Sequence, residues 1–261
     1  MTDAQFREER IKWTDLISHQ RENFIYRGNR CATWRLETSL ERVCNRLYQS
    51  LGKASEMERT LLREFRRRFH HYSTHVPAKD EFLRWFSLMQ HHGAPTRLLD
   101  WTYSIFVAAY FAIEYATEDC AVWKIDKEWL RDEGEKLFQK DSREAIFFRG
   151  KGDEDAENQF KRDVIDRPPI TAIVQVNPFQ LDERLTIQKG VFLYPCHAGE
   201  SFEANLKAMP GFIDHVVKLT IPHEERWPTL KALHSMNISR ATLFPGLDGF
   251  AQSLKIYHPL L

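Results

Sequence analysis

Cysteine is scarce in this chain of 261 residues, and no long apolar segment interrupts it. Its four cysteines, at 31, 44, 120 and 196, form no CxxC pair and no regular framework, which favours reduced thiols over a disulfide-stapled secreted protein. The longest apolar run, residues 105–113, falls short of the roughly 18 residues that a membrane span needs. The charged start of the chain lacks the apolar region of a signal peptide. We therefore expect a cytoplasmic protein without membrane contact.

An excess of charge of either sign is also missing. Lys plus Arg and Asp plus Glu each number 37, so the chain as a whole has no net attraction to nucleic acid or to an anionic membrane. Aromatic residues make up 13%, a content typical of a folded globular chain. Helical and strand-like patterns intermix without a linker. They predict one α+β domain over residues 1–261, with a mixed or antiparallel central sheet of short strands and a helical N-terminal part.

Hydrophobic periodicity and breaker residues give the order of elements. Helices are predicted over 3–21, 38–51, 54–75, 79–91, 103–117, 199–209 and 223–237, and strands over 24–28, 96–102, 121–126, 171–176, 184–188, 191–194 and 215–221. Helix 103–117 is apolar all round and is predicted to lie at the centre of the core. The charged region 127–166 is interpreted as a surface insertion or lid.

The segment Gln90–Thr102, with the sequence QHHGAPTRLLDWT, concentrates residues that do not suit a plain core strand. Gly93 is placed to end a helix in a left-handed turn, and Pro95 prevents its continuation. Asp100 lies beside Leu-Leu-Trp, so we expect it to have a specific cationic partner. His91 or His92 is either a cation stabilised at a helix C-terminus or a ligand-binding or proton-handling group.

A candidate anion site combines residues from three places. Arg27 and Gly28 end a short strand, where an arginine can hold phosphate or carboxylate by a bidentate fork and a glycine lets a ligand or another backbone come close. Arg97 and the free N–H groups at the start of helix 103–117 could complete the same phosphate site. The alternative, that Arg27 pairs with a core aspartate and Gly28 makes a turn, stays open.

Other functional patterns are weaker. The helix 54–75 carries a basic face over residues 63–71, which is compatible with nucleic-acid binding but also with a solvated surface. His71 and His75 have metal-binding spacing without a third ligand, so no metal site is predicted. No Gly-x-Ser-x-Gly motif is present, and no cysteine lies in an activating context, so a hydrolase with a nucleophile triad is disfavoured.

Four segments occur in a recognisable order: Tyr26-Arg27-Gly28, Gln90–Thr102, Arg184–Phe192 and Leu243–Gly249. Together they resemble the FRG domain family, named for an aromatic-Arg-Gly signature, over about residues 20–250. The central segment is the most specific match. Two positions depart mildly from the family pattern: Tyr26 replaces phenylalanine, and Tyr103-Ser-Ile follows the Asp-Trp-Thr.

The resemblance implies a bacterial or phage-related toxin or anti-phage defence effector, with a layout similar to mono-ADP-ribosyltransferases. That similarity implies NAD as the substrate, in ADP-ribosyl transfer or NAD cleavage. Arg27, then Thr96 with Thr102, then Gln188 would occupy the early, middle and late positions of such a site. Because Gln188 cannot supply the negative charge of a catalytic Glu, that charge would come from Asp100, Asp248 or Glu183.

Two sets of site residues follow from the motifs and the resemblance. The candidate catalytic residues are Arg27, His91, Asp100 and Gln188; the candidate NAD-binding residues are Tyr26, Arg27, Gly28, Gln90, His92, Thr96, Arg97 and Thr102. The expected partners are a nucleotide, a protein or nucleic-acid acceptor, and a companion protein that neutralises the toxin. A nucleotide- or nucleic-acid-binding module without catalysis is the alternative function.

Overall fold

A mixed sheet of seven strands organises the computed structural model, which describes residues 5–137, 153–178 and 182–256. Along the sheet the order is β1-β7-β4-β2-β3-β6-β5; β1 runs parallel to β7, and every other neighbouring pair is antiparallel. This confirms the predicted α+β class. The strands are β1 (Arg7–Arg10), β2 (Phe24–Asn29), β3 (Leu99–Thr102), β4 (Cys120–Asp126), β5 (Ile173–Val176), β6 (Gly190–Pro195) and β7 (Val216–Ile221).

Helices cover both faces of the sheet. No helix within the described ranges combines the length and the apolar character needed to cross a bilayer. The helices are α1 (Leu16–His19), α2 (Ser39–Tyr48), α3 (Ala54–Phe69), α4 (Phe82–His91), α5 (Ile105–Ile113), α6 (Lys127–Leu137), α7 (Asp153–Phe160), α8 (Glu183–Ile187), α9 (Phe202–Lys207), α10 (Phe212–His215), α11 (Arg226–Ser235), α12 (Arg240–Leu243) and α13 (Leu247–Ser253).

Local sequence sets several helix ends. The Thr38 hydroxyl accepts the Glu41 N–H at 3.1 Å, and the Glu41 carboxylate accepts the Thr38 N–H at 3.4 Å, which is a capping box at the start of α2. Gly93 has a φ of 78°, so the chain leaves α4 in a left-handed turn, as predicted. Ser104 caps α5 by accepting the Val107 N–H.

The predicted central helix is confirmed as α5, which lies against one face of the sheet. Its residues form a core with Tyr26, Val122 and Leu219 of the central strands. The opposite face of the same strands packs against α6 and α9 through Trp129 and Phe202. Both faces of β2 and β4 are therefore covered, which explains the consecutive apolar residues at 24–26 and 120–123.

The predicted N-terminal helix over 3–21 is wrong in its described part. Residues 7–10 instead form an edge strand, and the Ile11 N–H donates to the Thr220 carbonyl at 2.9 Å just beyond it. The Thr220 hydroxyl also donates to the Glu8 carboxylate at 2.6 Å. Only the four residues of α1 are α-helical in this part, so the expected helical N-terminal part begins in effect with α2. Pairing with a distant strand, which no local periodicity reports, decides this segment.

The predicted strand 184–188 is also wrong, because these residues form α8. Asp182 caps this helix by accepting the Leu185 N–H at 2.7 Å. In the charged region 127–166, α6 buries Trp129 and Leu130, and the segment after it buries Phe160 completely. The middle of the expected lid, 138–152, lies outside the described residues.

The sheet is nearly divided between β2 and β3. A single residue pair, Tyr26 with Thr102, joins these strands, whereas β2 pairs with β4 over all six of its residues. Beyond that pair, Arg27, Gly28 and Asn29 have no partner on β3. The gap between the strands is the structural basis of the site described next.

Candidate functional site

A cavity of about 800 Å³ opens where β2 and β3 separate. Its walls include residues from both strands, from the segment between β2 and α2, and from α5 and α8. A volume of this size falls within the range of about 300–1,000 Å³ that is typical of small-molecule sites. Of the predicted site residues, the cavity gathers Tyr26, Arg27, Gly28, Asp100, Thr102 and Gln188.

Arg27 bridges the gap. Its Nη1 donates to the Asp100 carbonyl oxygen at 2.6 Å, on the far side of the gap. Its Nε is buried and has no hydrogen-bond partner. Burial lowers the pKa of Arg27 from its ordinary value, although the nearby Asp100 acts in the opposite direction. The guanidinium is thus a cation with an unused donor in the wall of the cavity.

Four further arginines line the cavity: Arg30, Arg35, Arg42 and Arg184. Arg184 lies over the ring of Phe244 at 4.5 Å, and the Arg35 Nε donates to Glu203 at 3.2 Å. Against five arginines, the lining contains two carboxylates, Glu37 and Asp100. The cavity is therefore strongly positive in a molecule whose net charge is zero, and it favours an anionic ligand.

Asp100 is exposed, and its carboxylate accepts the Gln90 Nε2 at 2.8 Å. The Oε1 of Gln90 in turn accepts the hydroxyl of the fully buried Thr96 at 2.6 Å. No described cation forms an ion pair with the Asp100 carboxylate, so the expected direct cationic partner is replaced by an amide. Gln90 and Thr96 do not line the cavity. They orient the Asp100 carboxylate through this chain of hydrogen bonds.

Thr102 and Gln188 tie β3 to the end of α8. The Thr102 hydroxyl donates to the Gln188 carbonyl at 2.7 Å, and the Gln188 side-chain amide donates to the Leu243 carbonyl at 2.9 Å. Both side chains are engaged in holding the wall of the cavity together. Gln188 is nevertheless among the residues that line the cavity.

Tyr26 and Gly28 line the cavity, but their contacts hold the fold together. The Tyr26 hydroxyl donates to the His19 carbonyl at 2.7 Å and accepts the Arg21 N–H at 2.9 Å. A Cβ on Gly28 would lie 2.1 Å from the Ala108 carbonyl oxygen of α5. The glycine of the signature therefore allows another backbone to approach, one of the two possibilities that the sequence left open.

Arg97 is corrected from an anion-binding to a structural role. It lies away from the cavity in a buried ion pair with Glu58, whose Oε1 accepts its Nε at 2.8 Å, and its guanidinium lies 4.4 Å from the Tyr194 ring centroid. The Glu58 carboxylate raises the pKa of Arg97 despite its burial. The Arg97 Nη1 also donates to the Pro195 and Cys196 carbonyl oxygens, so the guanidinium is engaged by protein groups and lies outside the cavity lining.

The two histidines are also outside the cavity lining. His91 is exposed, and its Nδ1 lies 3.0 Å from the Asp182 carboxylate, next to the cap of α8. His92 is exposed beside it, with ring centroids 4.9 Å apart. The geometry therefore does not bring either ring to the residues that surround Arg27.

Sequence reasoning missed most of the cationic wall and one aromatic group. Trp34 lines the cavity with half of its surface exposed to solvent, at 53%. The available signal was the density of arginine just after the strand, at positions 27, 30, 35 and 42. Among the residues that the structure describes, no group of three His, Cys, Asp or Glu could hold a metal ion.

Comparison with protein families shows what part of the chain is similar to. A family model described as FRG domain matches residues 22–120, which include β2, the segment around Trp34, and β3. No curated protein and no solved structure matches the chain. The matched residues contain Arg27 and Asp100, whereas α8 with Arg184 and Gln188 completes the cavity from outside the matched range.

Proposed function

We propose, from the premise that this chain contains an FRG domain, that its cavity binds a phosphate-bearing nucleotide, with NAD as the candidate substrate. The observation that carries the proposal is the set of five arginines around one cavity, in a molecule without net charge. Guanidinium groups bind phosphates by paired hydrogen bonds and retain their charge at any physiological pH. A dinucleotide would place its pyrophosphate among them.

The reaction that we propose is cleavage of the bond between nicotinamide and ribose. The electron pair of that bond leaves with the nicotinamide nitrogen, and the ribose carbon takes on cationic character. Water or an acceptor nucleophile then bonds to this carbon and gives up a proton. A carboxylate that faces the developing cation would stabilise it. Two observations support Asp100 in this role: it lines the cavity, and its carboxylate accepts a hydrogen bond from the Gln90 amide.

In this proposal Arg27 binds the pyrophosphate, and Gln188 shapes the wall without supplying charge. A toxin or anti-phage effector that consumes NAD would need an acceptor or water as a co-reactant, and a companion protein could neutralise it. The fate of NAD in cells that express the protein tests this part. A fall in cellular NAD that depends on Asp100 supports it, and an unchanged NAD level opposes it.

The direct test is incubation of the purified protein with NAD, followed by mass analysis of free nicotinamide and of modified acceptors, with and without phage lysate. Asp100→Asn should abolish nicotinamide release and leave the protein folded, because Asp100 is exposed and makes one side-chain hydrogen bond. Arg67→Ala, in an exposed ion pair on α3, is the matched control and should retain full activity. Intact NAD under all these conditions would exclude the reaction.

A binding module without catalysis is the second candidate. The observation in its favour is that the side chains of Gln188 and Asp100 are already hydrogen-bonded to Leu243 and Gln90. The basic face of α3 offers less support for nucleic acid, because Glu64 pairs with Arg63, Arg67 and Arg68. Gel-shift titration over a range of salt decides whether nucleic acid binds, since such binding weakens steeply as salt rises.

A further inference from the structure

Two buried nitrogen donors without hydrogen-bond partners belong to residues that line the cavity at the gap. They are the Arg27 Nε and the Trp101 Nε1, and both residues line the cavity. Trp101 itself is only 3% exposed. A buried N–H group that has lost water and found no protein acceptor is costly, so it is rare in native proteins and calls for an explanation.

The register of the sheet places the two residues at opposite positions across the gap. Arg27 is one residue past the last paired position on β2, and Trp101 is one residue before it on β3. Side chains at opposite positions of two antiparallel strands lie on the same face of the sheet, so Arg27 and Trp101 share one face across the gap. Arg27 also contacts β3 through its bond to the Asp100 carbonyl.

A third unpartnered donor provides a control. Trp123 on β4 is paired with Arg27 from the other side, and its Nε1 is likewise buried without a partner. Trp123 does not line the cavity, however. The two tryptophans flank the same arginine on opposite sides, and only Trp101 lines the cavity.

We propose that the Arg27 Nε and the Trp101 Nε1 donate to phosphate oxygens of a bound ligand, so that nucleotides bind with their phosphates at the gap and the base left outside. This rests on the proposed nucleotide-binding function and adds an orientation and a specificity to it. The half-exposed indole of Trp34 lines the same cavity and offers a stacking surface for the base. Stacking accepts any base, so the phosphates rather than the base select the ligand.

The test is calorimetric titration of the full chain with inorganic pyrophosphate, ADP, GDP and adenosine. Pyrophosphate and ADP should bind, GDP should match ADP within about threefold, and adenosine should bind at least about tenfold more weakly. Trp101→Phe should weaken the binding of pyrophosphate about tenfold, because it removes one charge-assisted hydrogen bond. Trp123→Phe makes the same change on the other side of Arg27 and should leave affinity unchanged. Trp34→Ala should weaken the binding of ADP and leave the binding of pyrophosphate unchanged.

A second measurement on the unmodified protein covers the case in which Trp101→Phe does not fold. The chain has seven tryptophans, whose indole N–H signals can be followed by NMR. Pyrophosphate should shift the signal of Trp101 and leave that of Trp123 in place, whereas ADP should also shift Trp34. The inference is wrong, and nucleotide binding stands, if ADP binds without shifting the Trp101 signal and Trp101→Phe does not weaken pyrophosphate binding. It is also wrong if adenosine binds as tightly as ADP. If neither pyrophosphate nor ADP binds at all, the proposed function fails as well.

Discussion

At the scale of single residues, the molecule holds two central arginines in opposite ways. Arg97 is saturated by Glu58 and the Tyr194 ring, whereas Arg27 keeps a donor free beside the cavity. Burial of a charge without a partner is expensive, so the first arrangement serves stability. The second leaves a cost that a bound anion could remove. The contrast supports a structural role for Arg97 and agrees with the ligand-binding role that we propose for Arg27.

Glu58→Gln should therefore destabilise the fold strongly. The substitution keeps the shape of the side chain but leaves the Arg97 cation buried without its counter-charge, at a cost of about 3–5 kcal/mol in the free energy of unfolding. Urea unfolding followed by fluorescence measures this cost. Arg67→Ala, which breaks an exposed pair on the same helix, should cost less than about 1 kcal/mol. Equal effects of the two variants would contradict a structural role for the buried pair.

Glu41 should make stability depend on pH. Burial raises the pKa of its carboxyl to about 7 in the folded protein, against an ordinary value of 4.5. The folded state therefore binds this proton more tightly than the unfolded state does. Protonated Glu41 therefore adds to the free energy of unfolding below about pH 4.5. This added stability is lost as the pH rises towards 7, and the loss is on the order of 2–3 kcal/mol.

Glu41→Gln tests this, because the amide oxygen can still accept the Phe202 N–H and no longer titrates. The melting temperature of the variant should fall less than that of the unmodified protein between pH 5 and pH 7.5. Glu56→Gln, at an exposed position on α3, should leave the pH dependence unchanged. Parallel pH profiles for all three proteins would show that Glu41 is not the titrating group.

The residues of the site fall into three groups: those that the sequence predicted, those that it missed and one that it misassigned. Arg27 and Asp100 were found because a charge beside apolar residues is informative wherever the chain folds. Arg30, Arg35, Arg42 and Arg184 were missed because exposed arginines look alike in sequence until the topology brings them to one cavity. Arg97 was misassigned because its partner, Glu58, lies 39 residues away on α3.

At the scale of elements, the contact between β2 and α5 depends on one missing side chain. A methyl group on Gly28 would lie 2.1 Å from the Ala108 carbonyl oxygen and 2.6 Å from the Ala112 nitrogen, both backbone atoms that cannot turn aside. Gly28→Ala should thus push β2 and α5 apart and cost about 1–3 kcal/mol or more. Gly52→Ala is the matched control, because its nearest neighbour would be a side-chain oxygen 3.5 Å away.

Thermal unfolding of the two alanine variants measures the difference. Gly28→Ala should lower the melting temperature by several degrees, and Gly52→Ala should leave it near that of the unmodified protein. If the two variants melt alike, the close approach of strand and helix is not what requires glycine in the signature.

Elements whose identity is local were predicted well, and those set by distant pairing were not. The apolar α5, the capped α2 and the alternating β7 follow from their own residues. The charged strand β1 exists because β7 offers it a free edge, a partner more than 200 residues away. The segment 183–187 forms a helix because Asp182 caps it, a signal that its short alternating pattern concealed.

At the scale of the whole molecule, the divided sheet separates the fold into two parts. The order of strands places β1, β7, β4 and β2 on one side of the gap and β3, β6 and β5 on the other. The Tyr26–Thr102 pair and the bond from Arg27 to Asp100 connect β2 directly to β3. A ligand in the cavity would contact both sides at once, so it should couple them.

Hydrogen exchange measured with and without a bound nucleotide tests this coupling. With ADP-ribose at about one hundred times its Kd, the folded state gains about 2.7 kcal/mol, and amides near the ligand should exchange more slowly. Protection should appear on β2 and on β3 together, because Arg27 and Asp100 lie on opposite sides of the gap. The distant edge pair of β1 and β7 serves as the internal control. Its amides should gain no more protection from exchange than the global stabilisation provides. Protection confined to one side of the gap would mean that the ligand does not bridge the two parts of the sheet.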